Sequence, residues 1–209
     1  MLIVALPKGR LANKVFKLLK ELNICDITLD DEDRRLIVEA PNFKFFLAKP
    51  SDVPTFVDNG VCDIGVVGKD TLLEEDRDIT ELLDLGFGAC RMCVCAKKED
   101  NDAYLGYDHI RVASKYPNIA KEYFNSINKN VEIIKLNGSV ELAAIVGLSD
   151  VIVDIVESGR TLKENGLVPV TTICNLTARL VANNASLKTK YEEISSIVSL
   201  LEDYLKDKE

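Results

Sequence analysis

The sequence predicts an α/β fold, and three observations predict it. The 209 residues open on a continuous apolar run, Leu2 to Leu6, of the kind required by a strand buried on both faces. A turn, Pro7-Lys8-Gly9-Arg10, follows, and beyond it Leu11, Val15, Leu18, Leu19 and Leu22 recur at helical spacing. Short apolar strands and amphipathic segments then alternate along the chain, which is the element order of an α/β architecture.

Leu36–Ala40 and Phe43–Ala48 flank Pro41-Asn42 and read as a β-hairpin. Ser51-Asp52-Val53-Pro54 supplies an N-cap and an early-helix proline, and Asn59-Gly60 ends that helix. Asp63 to Gly68 is a short buried strand, and Asp70 or Thr71 starts another helix. The run Arg91 to Ala96 reads as a buried strand. Lys97 to Asp108 is polar and without pattern, the segment best suited to a connection near a domain boundary. Ile110–Ala113 and Val131–Leu136 read as strands around a helix from about Asn118 to Ile127. Ser139–Val146 follows as a helix, and Asp150–Val156, Val168–Cys174 and Ala178–Ala182 as strands. Tyr191, Ile194, Val198, Leu201 and Leu205 lie on one face of a last amphipathic helix.

Composition bounds the function. A hydrophobic content of 47% supports a buried core, and no stretch reaches the roughly 18 apolar residues of a membrane span. The first residues lack the basic region and long apolar run of a signal peptide, so the expected location is the cytoplasm. A net charge of −8 excludes broad nucleic-acid binding, which draws its affinity from a basic surface. Small polyanions remain possible ligands wherever a few cations and backbone amides converge. The six cysteines include Cys90, Cys93 and Cys95, but Cys93 and Cys95 fall in the apolar strand, where the thiol acts as a small hydrophobe. His109 is the single histidine, too few for a His-rich zinc site.

The segment Val151 to Leu162 carries the most chemistry. An apolar strand ends near Asp154 and runs into Glu157-Ser158-Gly159-Arg160-Thr161. Successive backbone N–H groups and the Ser158 and Thr161 hydroxyls can surround a phosphate there, with Gly159 allowing the backbone to turn. Asp154 is then placed for ribose hydroxyls or a Mg²⁺ beside the phosphate. The same residues would also make an ordinary strand-to-helix turn, and the loop alone does not separate the two. Its Asp-x4-Gly-x-Thr spacing resembles the phosphoribosyl pyrophosphate loop of type I phosphoribosyltransferases. Those enzymes carry two adjacent acidic residues at the strand end, whereas here Val153 takes the first place, which points to another phosphoribosyltransferase fold.

Other blocks fall into a family pattern. Pro7-Lys-Gly-Arg-Leu11, Arg35-Leu-Ile37, Asp63-Ile-Gly-x-x-Gly-Lys-Asp70 and Ala113-Ser-Lys-Tyr-Pro117 precede Leu136-Asn-Gly-Ser-Val-Glu141 and Gly147-Leu-x-Asp150. The Asp154–Thr161 loop and Glu164-Asn-Gly-Leu167 complete the series. Together, over nearly the whole chain, they resemble the ATP phosphoribosyltransferases, in the short form that lacks a C-terminal regulatory domain. The resemblance implies a two-lobed fold like the type II periplasmic binding proteins, with the active site in the interlobe cleft. It implies one lobe from residues 1–90 plus 172–209 and another from 91–171 carrying the phosphoribosyl pyrophosphate loop. The implied reaction condenses ATP with phosphoribosyl pyrophosphate in the first step of histidine biosynthesis, with Mg²⁺. The implied partners are a regulatory subunit resembling histidyl-tRNA synthetase and a second catalytic chain, a homodimer within a hetero-oligomer.

The resemblance also distributes roles. Arg10 and Arg34, assisted by Lys8, would stabilise the departing pyrophosphate. Asp154, Glu157, Ser158, Gly159, Arg160 and Thr161 would bind the phosphoribosyl group, and Glu141 its ribose hydroxyls. Lys49, where a strand gives way to a helix beside Ser51 and Asp52, would line the ATP side. Arg35, Lys69 and Arg91 are further cations that could equally be structural. Two other readings remain: a two-lobed anion-binding protein without catalysis, and a phosphoribosyltransferase for another base.

Overall fold

The structure is a computed structural model that describes residues 1–29, 34–100 and 103–207. Along the chain run β1 (Leu2–Pro7), α1 (Arg10–Glu21), β2 (Ile37–Ala40), β3 (Phe43–Ala48), α2 (Val53–Asp58) and β4 (Ile64–Gly68). Next come α3 (Lys69–Glu75), β5 (Ile79–Asp84), β6 (Cys90–Lys97), β7 (Ile110–Ser114), α4 (Pro117–Ser126) and β8 (Val131–Lys135). The rest is α5 (Glu141–Ile145), β9 (Val151–Val156), α6 (Arg160–Glu164), β10 (Leu167–Leu176), β11 (Ala178–Asn183), α7 (Ser186–Thr189) and α8 (Tyr191–Lys206).

The chain forms two α/β units, Met1–Gly88 with Thr177–Glu209, and Ala89–Leu176. The first holds a six-stranded sheet of order β2-β3-β1-β4-β11-β5, with β1 parallel to both β3 and β4. Because β1 is central, both its faces are covered, which is why its sequence is apolar throughout. Leu2, Val4 and Leu6 pack with Val15, Phe16 and Leu19 of α1 and with Ile194 and Leu201 of α8. Ala5 meets Val53 and Val57 of α2 on the other side. The last helix thus belongs to the core of the first unit.

A polar knot ties this return together. Asp63, just before β4, accepts the Ile3 N–H at 2.8 Å, the Ser186 hydroxyl at 2.8 Å and the Lys190 ammonium at 2.7 Å. Asn183 receives the N–H groups of Ala185 and Ser186 and donates to Val57 O, so the turn into α7 is closed by side chains.

The second unit holds a five-stranded sheet of order β10-β6-β9-β7-β8, with β7 parallel to β8 and β9, and β6 antiparallel to β9 and β10. Arg111 at the start of β7 donates its backbone N–H and two guanidinium N–H groups to Asp150, which pins the entry to β9. Cys93 and Cys95 are fully buried in β6, and burial pushes the Cys95 thiol up to about 12, so it stays a neutral packing group.

Three local features differ from the sequence reading. The polar stretch from Lys97 connects β6 to β7 inside the second unit, and the chain passes between units at Gly88 and again at Leu176. The strand β5, Ile-Thr-Glu-Leu-Leu-Asp, carries no clean alternation; it forms by pairing with β11, whose Arg179 neutralises Glu81 and Asp84. Ser51 does not cap α2: its hydroxyl donates to Asp52 at 3.2 Å, and a 3-10 turn over Pro50–Asp52 precedes the helix.

Candidate active site

In the second unit the chemistry gathers where β7, β8 and β9 end. Strand register decides who meets whom. Ser114 of β7 pairs with Val153 of β9, so Lys115, the next residue, comes beside Asp154. The antiparallel neighbour β6 pairs Cys93 with Asp154 and Arg91 with Val156, which brings Arg91 to the same end. Glu141 enters as the first residue of α5. The Ser114 hydroxyl, fully buried, fixes the turn after β7 by donating to Val153 O at 2.6 Å and accepting the Tyr116 N–H at 2.8 Å.

Asp154 is half-buried and accepts one hydrogen bond, from the Ile155 N–H at 2.8 Å. Burial pushes its carboxyl up from the ordinary value; that backbone bond opposes the rise, the Glu141 charge adds to it, and Lys115 opposes it weakly. The result is a carboxylate short of partners beside a second carboxylate and a cation. The Glu141 side chain makes no hydrogen bond within the described residues, and the three residues before it include Ser139 in left-handed backbone, φ 48°.

Beyond β9, the backbone N–H groups of Glu157, Ser158 and Gly159 make no hydrogen bond within the described residues. Gly159 has φ 71°, a left-handed conformation natural to glycine, and it turns the chain into α6. The Ser158 hydroxyl lies 3.4 Å from the Arg160 N–H, and Ser158 and Thr161 are exposed. Arg160 is turned to its own helix, its guanidinium 2.8 Å from Glu164. Free donors, two hydroxyls and a neighbouring carboxylate suit a phosphate carried on a sugar.

In the first unit the expected cations also share one end of a sheet. Pro7 pairs with Ala48 in parallel register, so Lys8 and Lys49 leave adjacent strands side by side, and the Lys8 N–H donates to Ala48 O at 2.8 Å. Gly9, at φ 90° and ψ −145°, sits where only glycine is comfortable, and this sharp turn starts α1 at Arg10. β2 runs antiparallel to β3 with Leu36 O accepting the Leu47 N–H, so Arg34 arrives at the same end. Lys8, Arg10, Arg34 and Lys49 are all exposed, and none forms an ion pair among the described residues. Lys69 differs: its ammonium lies 2.5 Å from Glu81, a structural pairing. A cavity of about 610 Å³ in this unit, lined by Lys14, Leu18, Phe87 and Tyr204, lies along α1 and α8, and none of Lys8, Arg10, Arg34 and Lys49 lines it.

Sequence reasoning overlooked Lys115. Its signal was its place after a buried strand, in a motif read only as a family mark. Among the described residues no group of three or more His, Cys, Asp and Glu side chains is arranged to hold a metal ion.

The HisG family model, described as ATP phosphoribosyltransferase, matches residues 49–203. An ATP phosphoribosyltransferase of Lachnospira eligens is 52% identical over 206 residues, covering 97% of this chain and 95% of its own. One from Clostridioides difficile is 50% identical over 204 residues and covers 97% of each. Among solved structures, the HisG:HisZ ATP phosphoribosyl transferase complex of Thermotoga maritima contains a chain similar at a TM-score of 0.84 and 37% identity, covering 99% of this chain and 100% of that one. The VFT2 domain of Bordetella pertussis BvgS is similar at a TM-score of 0.58 with 11% identity, over 96% of this chain and 84% of that one, a likeness of fold alone.

Proposed function

The chain belongs to the ATP phosphoribosyltransferase family, and from that premise we propose how its own residues divide the reaction. The enzyme condenses ATP with 5-phosphoribosyl 1-pyrophosphate to give N1-(5-phosphoribosyl)-ATP and pyrophosphate, the first step of histidine biosynthesis. Adenine N1 is already a nucleophile, so the site needs no strong base; it must position two anions and stabilise the departing pyrophosphate.

The observation that carries the division is the segregation of charge between the units. The Glu157–Thr161 loop and the carboxylates Asp154 and Glu141 occupy the end of one sheet, and four cations that form no ion pair among the described residues the end of the other. The loop amides with Ser158 and Thr161 hold the 5-phosphate, and Asp154 and Glu141 accept the ribose hydroxyls. Arg10 and Arg34, with Lys8, meet the charge that grows on the leaving pyrophosphate, and Lys49 meets the ATP phosphates. Arginine forks suit that work because they match phosphate oxygens in pairs. Lys115 and Arg91 join the loop side as counter-charges to the substrate.

Mg²⁺ fits this donor set in a limited way. With two carboxylates and no cage of ligands, the protein would offer Asp154, and phosphate oxygens and water would supply the rest, which is the usual habit of this ion. When bound it screens the pyrophosphate charge. The working assembly in this reading is a homodimer joined by a regulatory subunit, through which histidine acts, in the cytoplasm. A HisG:HisZ complex among the similar structures supports the hetero-assembly.

The test follows pyrophosphate release and N1-phosphoribosyl-ATP formation from ATP, phosphoribosyl pyrophosphate and Mg²⁺, with and without the regulatory subunit. Product is expected, with a gain on adding the partner. Arg10→Ala should lower kcat by about 100-fold with little change in ATP affinity, because its contact is strongest in the transition state. Ligand binding with no product in either arm would favour a non-catalytic binding protein.

A further inference from the structure

Ser114 is the last residue of β7 and is fully buried. Packing alone would be served there by alanine, since a buried hydroxyl costs free energy until its hydrogen bonds are made. Here both are made, and each reaches the neighbour of a charged group in the candidate site. The hydroxyl donates to Val153 O at 2.6 Å, and Val153 is the residue before Asp154. It accepts the Tyr116 N–H at 2.8 Å, and Tyr116 is the residue after Lys115. The second bond spans two residues, so Lys115 sits at the centre of a turn closed by the serine side chain. Lys115 itself is exposed, and its ammonium lies 5.6 Å from the Tyr116 ring, so its direction follows that turn. The main chain is held separately: Ser114 O accepts the Leu136 N–H at 3.0 Å, which ties β7 to the exit of β8. Removing the hydroxyl therefore leaves the sheet pairings in place and frees only the turn.

We propose that Ser114 is a positioning residue for the reaction: its one hydroxyl sets Lys115 against Asp154, and so holds the ammonium where the phosphoribosyl group binds. The proposal rests on the reading above in which Lys115 is a counter-charge to that substrate. A lysine carries its charge on a flexible four-carbon stem, so the contact is only as well placed as the backbone that bears it. Fixing that backbone from the strand that also carries Asp154 places the cation and the carboxylate from a single point, and a displacement of about 1 Å at such a site is enough to weaken binding. Ser114 touches no substrate in this role and acts through Lys115.

The experiment is a double-mutant cycle in steady-state kinetics on the full chain with its regulatory subunit: wild type, Ser114→Ala, Lys115→Ala and the double variant. Ser114→Ala should raise KM for phosphoribosyl pyrophosphate about fivefold, with kcat and ATP affinity changed by less than about twofold. Lys115→Ala alone should raise the same KM about tenfold. In the double variant the two effects should not multiply. Its KM should stay within about twofold of that of Lys115→Ala, because nothing is left to position. A serine with a structural role only would lower the thermal midpoint and show no such coupling. Ser114→Cys keeps a weaker donor and acceptor at the site and should fall between serine and alanine in KM. It carries the same cycle if the alanine variant does not fold. A rise of about 50-fold in the double variant, the product of the two single effects, overturns the proposal. So does a fall in kcat with KM unchanged, which would place the effect on Asp154. Lys115→Ala with KM unchanged would instead remove the reading of Lys115 as a substrate contact, and the positioning role with it.

Discussion

Asp63 in the first unit and Asp154 in the second are both carboxylates at the edge of a buried strand, yet their acidities move in opposite directions. Burial pushes each one up. At Asp63 that push is overcome by hydrogen bonds from Lys190, Ile3 and Ser186 and by the Lys190 charge, which hold the carboxyl below its ordinary value. At Asp154 a single backbone hydrogen bond and a weak influence from Lys115 do not overcome it, and Glu141 adds to the rise. The difference separates two uses of a buried charge. A satisfied carboxylate is a structural rivet. One left short of donors, among backbone amides also left open, is waiting for a ligand.

Removing the rivet should have the largest effect. Asp63→Ala leaves the Lys190 ammonium and the Ser186 hydroxyl without their acceptor between β1, β4 and α7, and losing charge-assisted bonds of this partly buried kind costs about 1–3 kcal/mol. The loss is read as a fall in unfolding free energy, with kcat changed only a few-fold well below the midpoint. Its pH dependence carries a sign. Because the folded carboxyl is held down, its contribution is fully present above the unfolded value of about 3.9 and disappears as pH falls through the lowered folded value. Wild type and variant should therefore converge in stability as the solution is made more acid. Constant separation down to the lowest accessible pH would mean that the Asp63 charge is not what holds the knot.

Asp154→Asn should invert the pattern. Turnover is expected to fall by about 100-fold, through a lost acceptor for the ribose or for Mg²⁺. Stability should hold or rise slightly, because the ionised carboxylate is disfavoured by burial and the folded chain gains from its protonation as pH falls. For the same reason the wild-type acid limb of kcat/KM should lie above the ordinary carboxylate range, and the variant should lose it. A variant that unfolds readily while retaining turnover would make Asp154 a second rivet.

Much of this was legible in the sequence, for identifiable reasons. The apolar run Leu2–Leu6 announced a strand covered on both faces, and the spacing of Tyr191, Ile194, Val198, Leu201 and Leu205 announced a helix with one buried face. Local composition alone fixes such features. The strand β5 was not legible, because its side chains are only partly covered and its place depends on β11, about a hundred residues away. The phosphate loop was visible as a motif, but its alternative as a plain turn could be weighed only once the amides of Glu157 to Gly159 were seen unused. The convergence of Lys8, Arg10, Arg34 and Lys49 was hidden for another reason. It is a consequence of strand order, which brings β2 back beside β3 and β3 beside β1, and no local pattern encodes it.

Lys115 gives the smallest expected effect and the sharpest check on the comparison. It stands to Asp154 as Lys190 stands to Asp63, at the end of a neighbouring element, but it forms no ion pair among the described residues and its ammonium lies 5.6 Å from the Tyr116 ring. If it serves the substrate and not the carboxylate, Lys115→Ala should raise KM for phosphoribosyl pyrophosphate by about tenfold, the worth of one exposed charge contact to phosphate. The acid limb should move upward only slightly, since the ammonium that is removed is the smallest influence on Asp154 and favours its ionised form. Lys115→Arg should recover most of the KM. A large upward shift of the limb, with KM untouched, would show that Lys115 is the missing partner of Asp154, and the two aspartates would then differ in degree and not in kind.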